Sequence, residues 1–157
     1  MSRGIPLLAD AASMLGGCWD VTLNETDSQA VEQFVRNTLG CRCPDEVFRS
    51  IAVRTDTLPG GEPPFRRLVI GDRLLVYVLA LRPGPASADA VEALAALGRA
   101  DRDDRGYNRF RLVLAASTDE RVPGAIIDGF AKVVAGDARA HLHLVSNREL
   151  PRVIEPT

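Results

Sequence analysis

The chain of 157 residues has no long apolar segment. Its longest apolar run, Leu74 to Leu81, is far shorter than the roughly 20 residues that a membrane-spanning helix needs. The first residues place Asp10 inside a broken apolar stretch, which is too polar for the core of a secretory leader. We therefore expect a cytoplasmic protein with no membrane partner.

An excess of positive charge is also missing. The 19 basic side chains face 21 acidic ones, which gives a formal net charge of −2. Proteins that bind nucleic acid usually carry a concentrated basic patch. Lys132 is the only lysine, and we ascribe that bias to codon usage rather than to function. We expect no nucleic-acid partner.

Familiar catalytic and ligand-binding motifs are absent as well. The sequence contains no glycine-rich phosphate loop, no G-x-S-x-G, no H-E-x-x-H and no C-x-x-C. It has only three cysteines, Cys18, Cys41 and Cys43, which cannot all pair within one chain. In a reducing compartment, free thiols or metal ligands are more common than structural disulfides.

The remaining composition is that of an ordinary folded domain, with 46% hydrophobic and 25% charged residues. We predict an N-terminal arm over residues 1–25, one α/β domain over 26–150 and a C-terminal tail over 151–157. Pro6 to Leu15 could form a short helix, and Cys18 to Leu23 alternates weakly, like a strand.

Two helices are predicted after the arm. Thr26 and Gln29 fit a capping box at the start of the first. Its buried stripe has the period of a helix packed on one side, and Gly40 suits its C-terminus: Val31, Phe34, Val35, Thr38 and Leu39. Pro44, followed by two acids, begins the second.

Strands dominate the middle of the chain, and strands alternate with helices after it. Gly71-Asp72 suits the tight turn of a β-hairpin. The strand that follows is apolar on both faces, which is typical of the centre of a sheet covered by helices. A helix from Ser87 then leads to a strand at Arg109–Ala116, and a helix from Pro123 leads to a strand at Ala140–Val145.

This order predicts a single α/β domain. Its sheet is mixed and mostly parallel, with a β-hairpin, helices on both faces and two N-terminal helices. The charged run at residues 101–105, after the expected helix, is predicted to be a solvated turn, and Arg66-Arg67 a pair at the rim of the sheet.

Two paired motifs are the candidates for chemistry. Cys41 and Cys43 precede a helix N-terminus, where backbone N–H groups stabilise a thiolate, although Asp45 and Glu46 oppose that effect. His141 and His143 alternate on one strand and so share a face. Together the four residues could bind zinc or, less readily, an iron–sulfur cluster, with Cys18 as a possible third thiol.

Simpler interpretations stand beside this one. The cysteines could be small apolar residues packed at a helix corner, and the histidines the polar face of a half-exposed strand. A metal-free function is also open, because thiols one residue apart can close a labile disulfide.

The leading hypothesis is a small accessory protein that uses the Cys-x-Cys corner for metal binding or thiol redox chemistry, with another protein as partner. The alternative is a non-catalytic interaction or assembly module, with homo-oligomerisation open, in which the cysteines are structural. If the protein is an enzyme with scattered groups, the loops after Leu81, Ala116 and Val145 are the expected ligand sites, because they follow strand carboxyl ends.

Overall fold

The computed structural model describes residues 21–61, 63–82, 86–117 and 121–156. The helix predicted over Pro6–Leu15 and the thiol of Cys18 lie outside these ranges. Of the strand predicted to end at Leu23, the described part is a two-residue strand, Val21–Thr22.

In the described part of the chain, six strands form one mixed sheet whose spatial order follows the sequence. The strands are β1 (Val21–Thr22), β2 (Ile51–Thr57), β3 (Pro64–Ile70), β4 (Leu74–Ala80), β5 (Arg109–Ala116) and β6 (Ala140–Ser146). The pairs from β1 to β4 are antiparallel, and β4–β5 and β5–β6 are parallel. A mixed sheet is confirmed, but "mostly parallel" is wrong. The short loop between β2 and β3 makes a second hairpin, which forces antiparallel pairing.

Two of the predicted helices differ in length from the structure. The second N-terminal helix is shorter than predicted, and the helix in the middle of the chain is longer because it continues to Arg105. Within the described ranges the helices are α1 (Glu25–Gln33), α2 (Ala86–Arg105) and α3 (Gly124–Val133), with 3₁₀ turns at Asp45–Arg49, Asn147–Glu149 and Arg152–Ile154. The α1 helix continues as a π-helical turn, Phe34–Thr38. The second predicted N-terminal helix is thus only a 3₁₀ turn.

The N-terminal cap of α1 differs from the predicted capping box. Asn24, not Thr26, is the cap, and its side chain accepts a hydrogen bond of 2.7 Å from the Asp27 amide. Asparagine is as effective as serine or aspartate in this position, because its carbonyl oxygen satisfies an amide that has no partner in the helix.

Strand β4 separates two apolar layers, as its composition predicted. Its first six residues are buried. On one face, Val76 and Val78 pack in a cluster that includes Val31, Phe34 and Val35 of the N-terminal segment. On the other face, Leu75 and Leu79 pack in a cluster with residues of α2 and α3. Helical segments therefore cover both faces of the sheet.

The hairpin turn holds the 3₁₀ turn Asp45–Arg49 against the sheet. Gly71 has a φ of +61° and Asp72 a φ of 54°, as in the tight turn that the sequence predicted. The Gly71 amide donates to the Ser50 carbonyl at 2.7 Å, and a Cβ on Gly71 would lie 2.6 Å from Val47. Only glycine allows this close approach, which places Val47 and Ser50 directly against the hairpin turn.

The charged run at residues 101–105 is the last part of α2, not a solvated turn. Asp101 accepts two hydrogen bonds from Arg67, at 2.7 and 2.9 Å, and one of 2.6 Å from the Tyr77 hydroxyl. Arg67 is therefore buried and not at the rim as predicted. Although burial opposes it, the bond from Arg67 keeps the pKa of Asp101 below its usual value.

Arg102 anchors the same helix end to the turn before β6. It is 2% exposed and forms an ion pair of 2.8 Å with Asp137. Hydrogen bonding from Arg102, more than any other cause, lowers the pKa of Asp137 to about 2. Buried charges of this kind need partners, and here the partners come from distant parts of the chain.

The residues predicted to be a C-terminal tail pack on the sheet as far as they are described. Ile154 is fully buried in the cluster under the N-terminal helix, and the Glu155 carbonyl accepts a hydrogen bond of 3.0 Å from Arg66. Within the described ranges, no helix is long and apolar enough to cross a membrane.

Helix α2 lies so close to β5 that replacing a glycine in the helix by alanine, which usually stabilises a protein, should destabilise this one. Gly98 lies in α2 against the ring of Phe110, and a Cβ there would overlap that ring. Alanine normally stabilises a helix interior by about 1 kcal/mol relative to glycine. We expect Gly98→Ala instead to lower the free energy of unfolding by about 1–3 kcal/mol, because the core is overpacked. Equilibrium unfolding in urea measures the difference.

Gly124→Ala is the matched control, because Gly124 begins α3 and a Cβ there meets nothing within 4 Å. We expect that variant to be neutral or slightly more stable. A Gly98→Ala protein as stable as the control would show that the α2–β5 contact is looser than described.

Candidate functional site

The two cysteines lie where the N-terminal helical segment ends. Gly40, with a φ of +72°, reverses the chain there, and the Cys41 amide donates to the Val35 carbonyl at 3.1 Å. The Sγ atoms of Cys41 and Cys43 are within bonding distance of each other, and the Cα atoms are 5.5 Å apart, as in a disulfide. Cys41 is only 9% exposed, and Cys43 is more accessible.

The cysteine pair forms one wall of a cleft of about 420 Å³. The opposite wall is the edge of the sheet where β4 and β5 begin. Four of the residues that line the cleft carry a charge, and all four are arginines: Arg42, Arg73, Arg109 and Arg111. No Asp or Glu is among the described residues that line it. The cleft is therefore positively charged, although the chain as a whole is slightly acidic.

The acids expected to oppose a thiolate do not line this cleft. Asp45 forms an ion pair of 2.7 Å with Arg36, which also lies over the ring of Phe48. Glu46 is exposed on the same 3₁₀ turn. The charged residues that share the cleft with the cysteine pair are therefore all arginines.

Arg111 connects the cysteine corner with the histidine strand. Its Nη1 donates to the Leu39 carbonyl at 3.0 Å and lies 2.8 Å from His143 Nε2. A guanidinium has only donors, so Nε2 must be the acceptor and the His143 ring is neutral. Burial, and then the charge of Arg109, lower the pKa of Arg111. Its buried Nε has no hydrogen-bond partner among the described residues.

The two histidines share the predicted face of β6, and both have lowered pKa values. Arg111 is the neighbour of His141 in the β5–β6 register. Burial, and then the charges of Arg111 and Arg109, lower the pKa of His141. Burial, followed by Arg111 and His141, lowers the pKa of His143 to about 4.

The predicted metal-ligand set is not assembled. Cys41 lies with Cys43, and His141 shares a face with His143, but the described residues contain no group of three or more His, Cys, Asp or Glu side chains that could hold a metal ion. The sulfur atoms are engaged with each other, His143 accepts from a guanidinium, and four arginines would repel a cation. Among the described residues, nothing supports a zinc or iron–sulfur site, and Cys18, the possible third thiol, lies outside them.

The arginines are the part of the site that sequence reasoning did not single out. Arg109 and Arg111 alternate on one face of β5, and Arg73 precedes the neighbouring strand β4. Strand alternation could have revealed the first two. The position of Arg73 beside them required the parallel β4–β5 pairing to be known.

A second cleft, of about 630 Å³, lies at the carboxyl end of β4, one of the places expected for a ligand. Its walls are largely apolar, from Leu58, Pro59, Leu79 and Ala90, and its charged residues, Arg82 and Asp89, are of opposite sign. It has no concentration of reactive groups comparable to the cysteine cleft.

No family model matches this chain, and no curated protein or solved structure is significantly similar to it.

The Arg111–His143 contact gives a prediction that NMR can test. We expect the pKa of His143 to rise from about 4 toward 6.5 when Arg111 is replaced by Met, because one repelling charge is removed. Burial remains, so the rise should be incomplete. Titration of the imidazole resonances measures both values.

Arg148→Met is the control, because Arg148 is exposed on the turn after β6, where its charge does not act on His143. That variant should leave the His143 titration unchanged. A native His143 that titrates near 6.5 would contradict the contact itself.

Proposed function

We propose that the Cys41–Cys43 pair carries out thiol–disulfide exchange, in a small accessory protein that acts on the thiols of another molecule. The observation that carries this proposal is the placement of two sulfur atoms, within bonding distance, in the wall of a cleft lined by four arginines. Disulfides that persist in a reducing cytoplasm, where we expect this protein, are usually catalytic or regulatory.

The reaction divides into two exchange steps. An incoming thiolate attacks Cys43 Sγ, the Cys41–Cys43 bond breaks, and Cys41 leaves as a thiolate. A second thiolate attacks the substrate sulfur of this mixed disulfide and releases the Cys43 thiolate. Two substrate thiolates become one disulfide, and their two electrons reside on the reduced cysteine pair. A second disulfide reoxidises the pair by the reverse steps.

Accessibility supports different roles for the two cysteines. Cys43 is the more exposed, so an incoming sulfur reaches it more easily. Cys41 is 9% exposed and suits the resolving role when the pair is reoxidised, because its buried thiolate then attacks the mixed disulfide from within.

The positive charge of the cleft supports one direction of electron transfer, from the substrate to the cysteine pair. Positive groups near a cysteine lower its thiol pKa and so stabilise the reduced form. A disulfide whose reduced form is stabilised accepts electrons readily. The arginine cleft therefore favours a pair that oxidises its substrate. The same positive charge opposes the metal-binding alternative.

A protein-interaction module remains a second candidate, on a different observation. Strand β6 is at the edge of the described sheet, and Leu144 on it is 45% exposed. An edge strand with an exposed apolar side chain is a typical surface for pairing with another chain, including a second copy. In that case the cysteines would only stabilise the corner.

Single cysteine variants test the exchange directly. We expect the wild-type protein to catalyse disulfide interchange between small thiols, and Cys41→Ser to form a stable mixed disulfide through Cys43, because the resolving thiol is gone. We expect Cys43→Ser to react much more slowly, since its remaining thiol is buried. Mass spectrometry of the trapped adducts and a turnover assay measure these results.

Cys18→Ser is the matched control and should retain turnover. If the Cys41→Ser/Cys43→Ser protein turned over as fast as wild type, the exchange proposal would be wrong. If wild type showed no turnover, and Leu144→Glu abolished a complex seen by light scattering, the interaction module would be favoured instead.

A further inference from the structure

We propose that the cleft selects thiols and disulfides that carry carboxylate groups, an inference that rests on the exchange function proposed above. The ligand class is a small acidic thiol, or its disulfide, whose carboxylates bind the arginines while its sulfur meets Cys43.

Four arginines without a carboxylate partner among the described residues converge on the cleft. Arg42 comes from the cysteine corner, Arg73 from the start of β4, and Arg109 and Arg111 from β5. Among the described residues, none of the four is within ion-pair distance of a carboxylate, whereas Arg36, Arg67 and Arg102 elsewhere each have such a partner.

A guanidinium group is well suited to bind a carboxylate. Its planar fork matches a carboxylate with two parallel hydrogen bonds, and it remains charged in every ordinary condition. Arg109 and Arg111 lie two residues apart on one strand face and repel each other. A bound anion between them would remove this repulsion, whereas a cationic or neutral ligand would not.

The volume of the cleft indicates a small ligand. A cleft of about 420 Å³ is within the range of sites for small molecules and is too small for a folded partner. The cysteine pair lines the same cleft, so a ligand held by the arginines has its own sulfur close to Cys43. Binding and reaction would then use different groups of one substrate.

A series of disulfides that differ in charge tests the inference on the reduced protein. The probes are dithiodipropionate, hydroxyethyl disulfide and cystamine, which carry negative, zero and positive charge. Rates are normalised to those of reduced dithiothreitol with each probe, which removes intrinsic reactivity. We expect the anionic probe to react fastest and the cationic one slowest, with the difference falling as salt rises.

Arginine variants test whether the cleft is the source of the preference for the anionic probe. We expect Arg73→Gln and Arg109→Gln each to reduce the preference for dithiodipropionate by about two- to fivefold, the range for one exposed charge pair. The preference is taken as the ratio of the dithiodipropionate rate to the hydroxyethyl disulfide rate of the same variant, because any change in the reactivity of the Cys43 thiolate affects both rates alike. Arg49→Gln, an exposed arginine outside the cleft, is the control and should keep the full preference.

The outcomes of these experiments distinguish the acidic-ligand class from the proposed exchange function. Equal normalised rates for all three probes would overturn the acidic-ligand class and leave the exchange function standing. No reaction with any probe would overturn the exchange function. In that event, calorimetric binding of dithiodipropionate to the Cys41→Ser/Cys43→Ser protein, weakened by Arg109→Gln, would still support the anion site, and its absence would overturn it.

Discussion

The parallel pairing of β4 with β5 is the constraint on which the candidate site depends. Parallel strands begin at the same edge of a sheet, so Arg73 and Arg109 come together there, and the amides of Asn108 and Arg109 both donate to the Arg73 carbonyl. Arg111 then lies one step further along β5 and holds the Leu39 carbonyl. The cysteine corner is thereby placed opposite three arginines that are far apart in sequence.

This arrangement gives the cysteine pair two properties on which the proposed exchange function depends. The sulfur atoms are partly shielded by burial of Cys41, yet they border an open cleft. The charged residues that line this cleft are all arginines, and the proposal holds that they favour thiolates and anionic ligands together. Burial, and then the charge of Arg111, lower the pKa values of both histidines, so neither adds positive charge at neutral pH.

Local patterns predicted much of the fold and part of the site. The apolar run of β4, the Gly71-Asp72 turn and the alternation of His141 with His143 follow from short-range rules and were correct. Burial of Asp101 and Arg102, by contrast, depends on Arg67 and Asp137, which no local window contains. The arginine cleft was missed for the same reason, because it exists only once strand pairing is known. The metal-ligand hypothesis left open whether the cysteine and histidine pairs meet in space, because no local pattern determines the distance between residues so far apart in sequence.

The most direct test of the account is a redox titration of the native protein, followed by alkylation and mass measurement. Structural disulfides have reduction potentials below about −300 mV, and labile ones lie above that value. We expect the Cys41–Cys43 pair to take up two alkyl groups with a midpoint clearly above −300 mV. A pair that stays oxidised well below that potential, or that never forms a disulfide, would contradict a redox role for the corner.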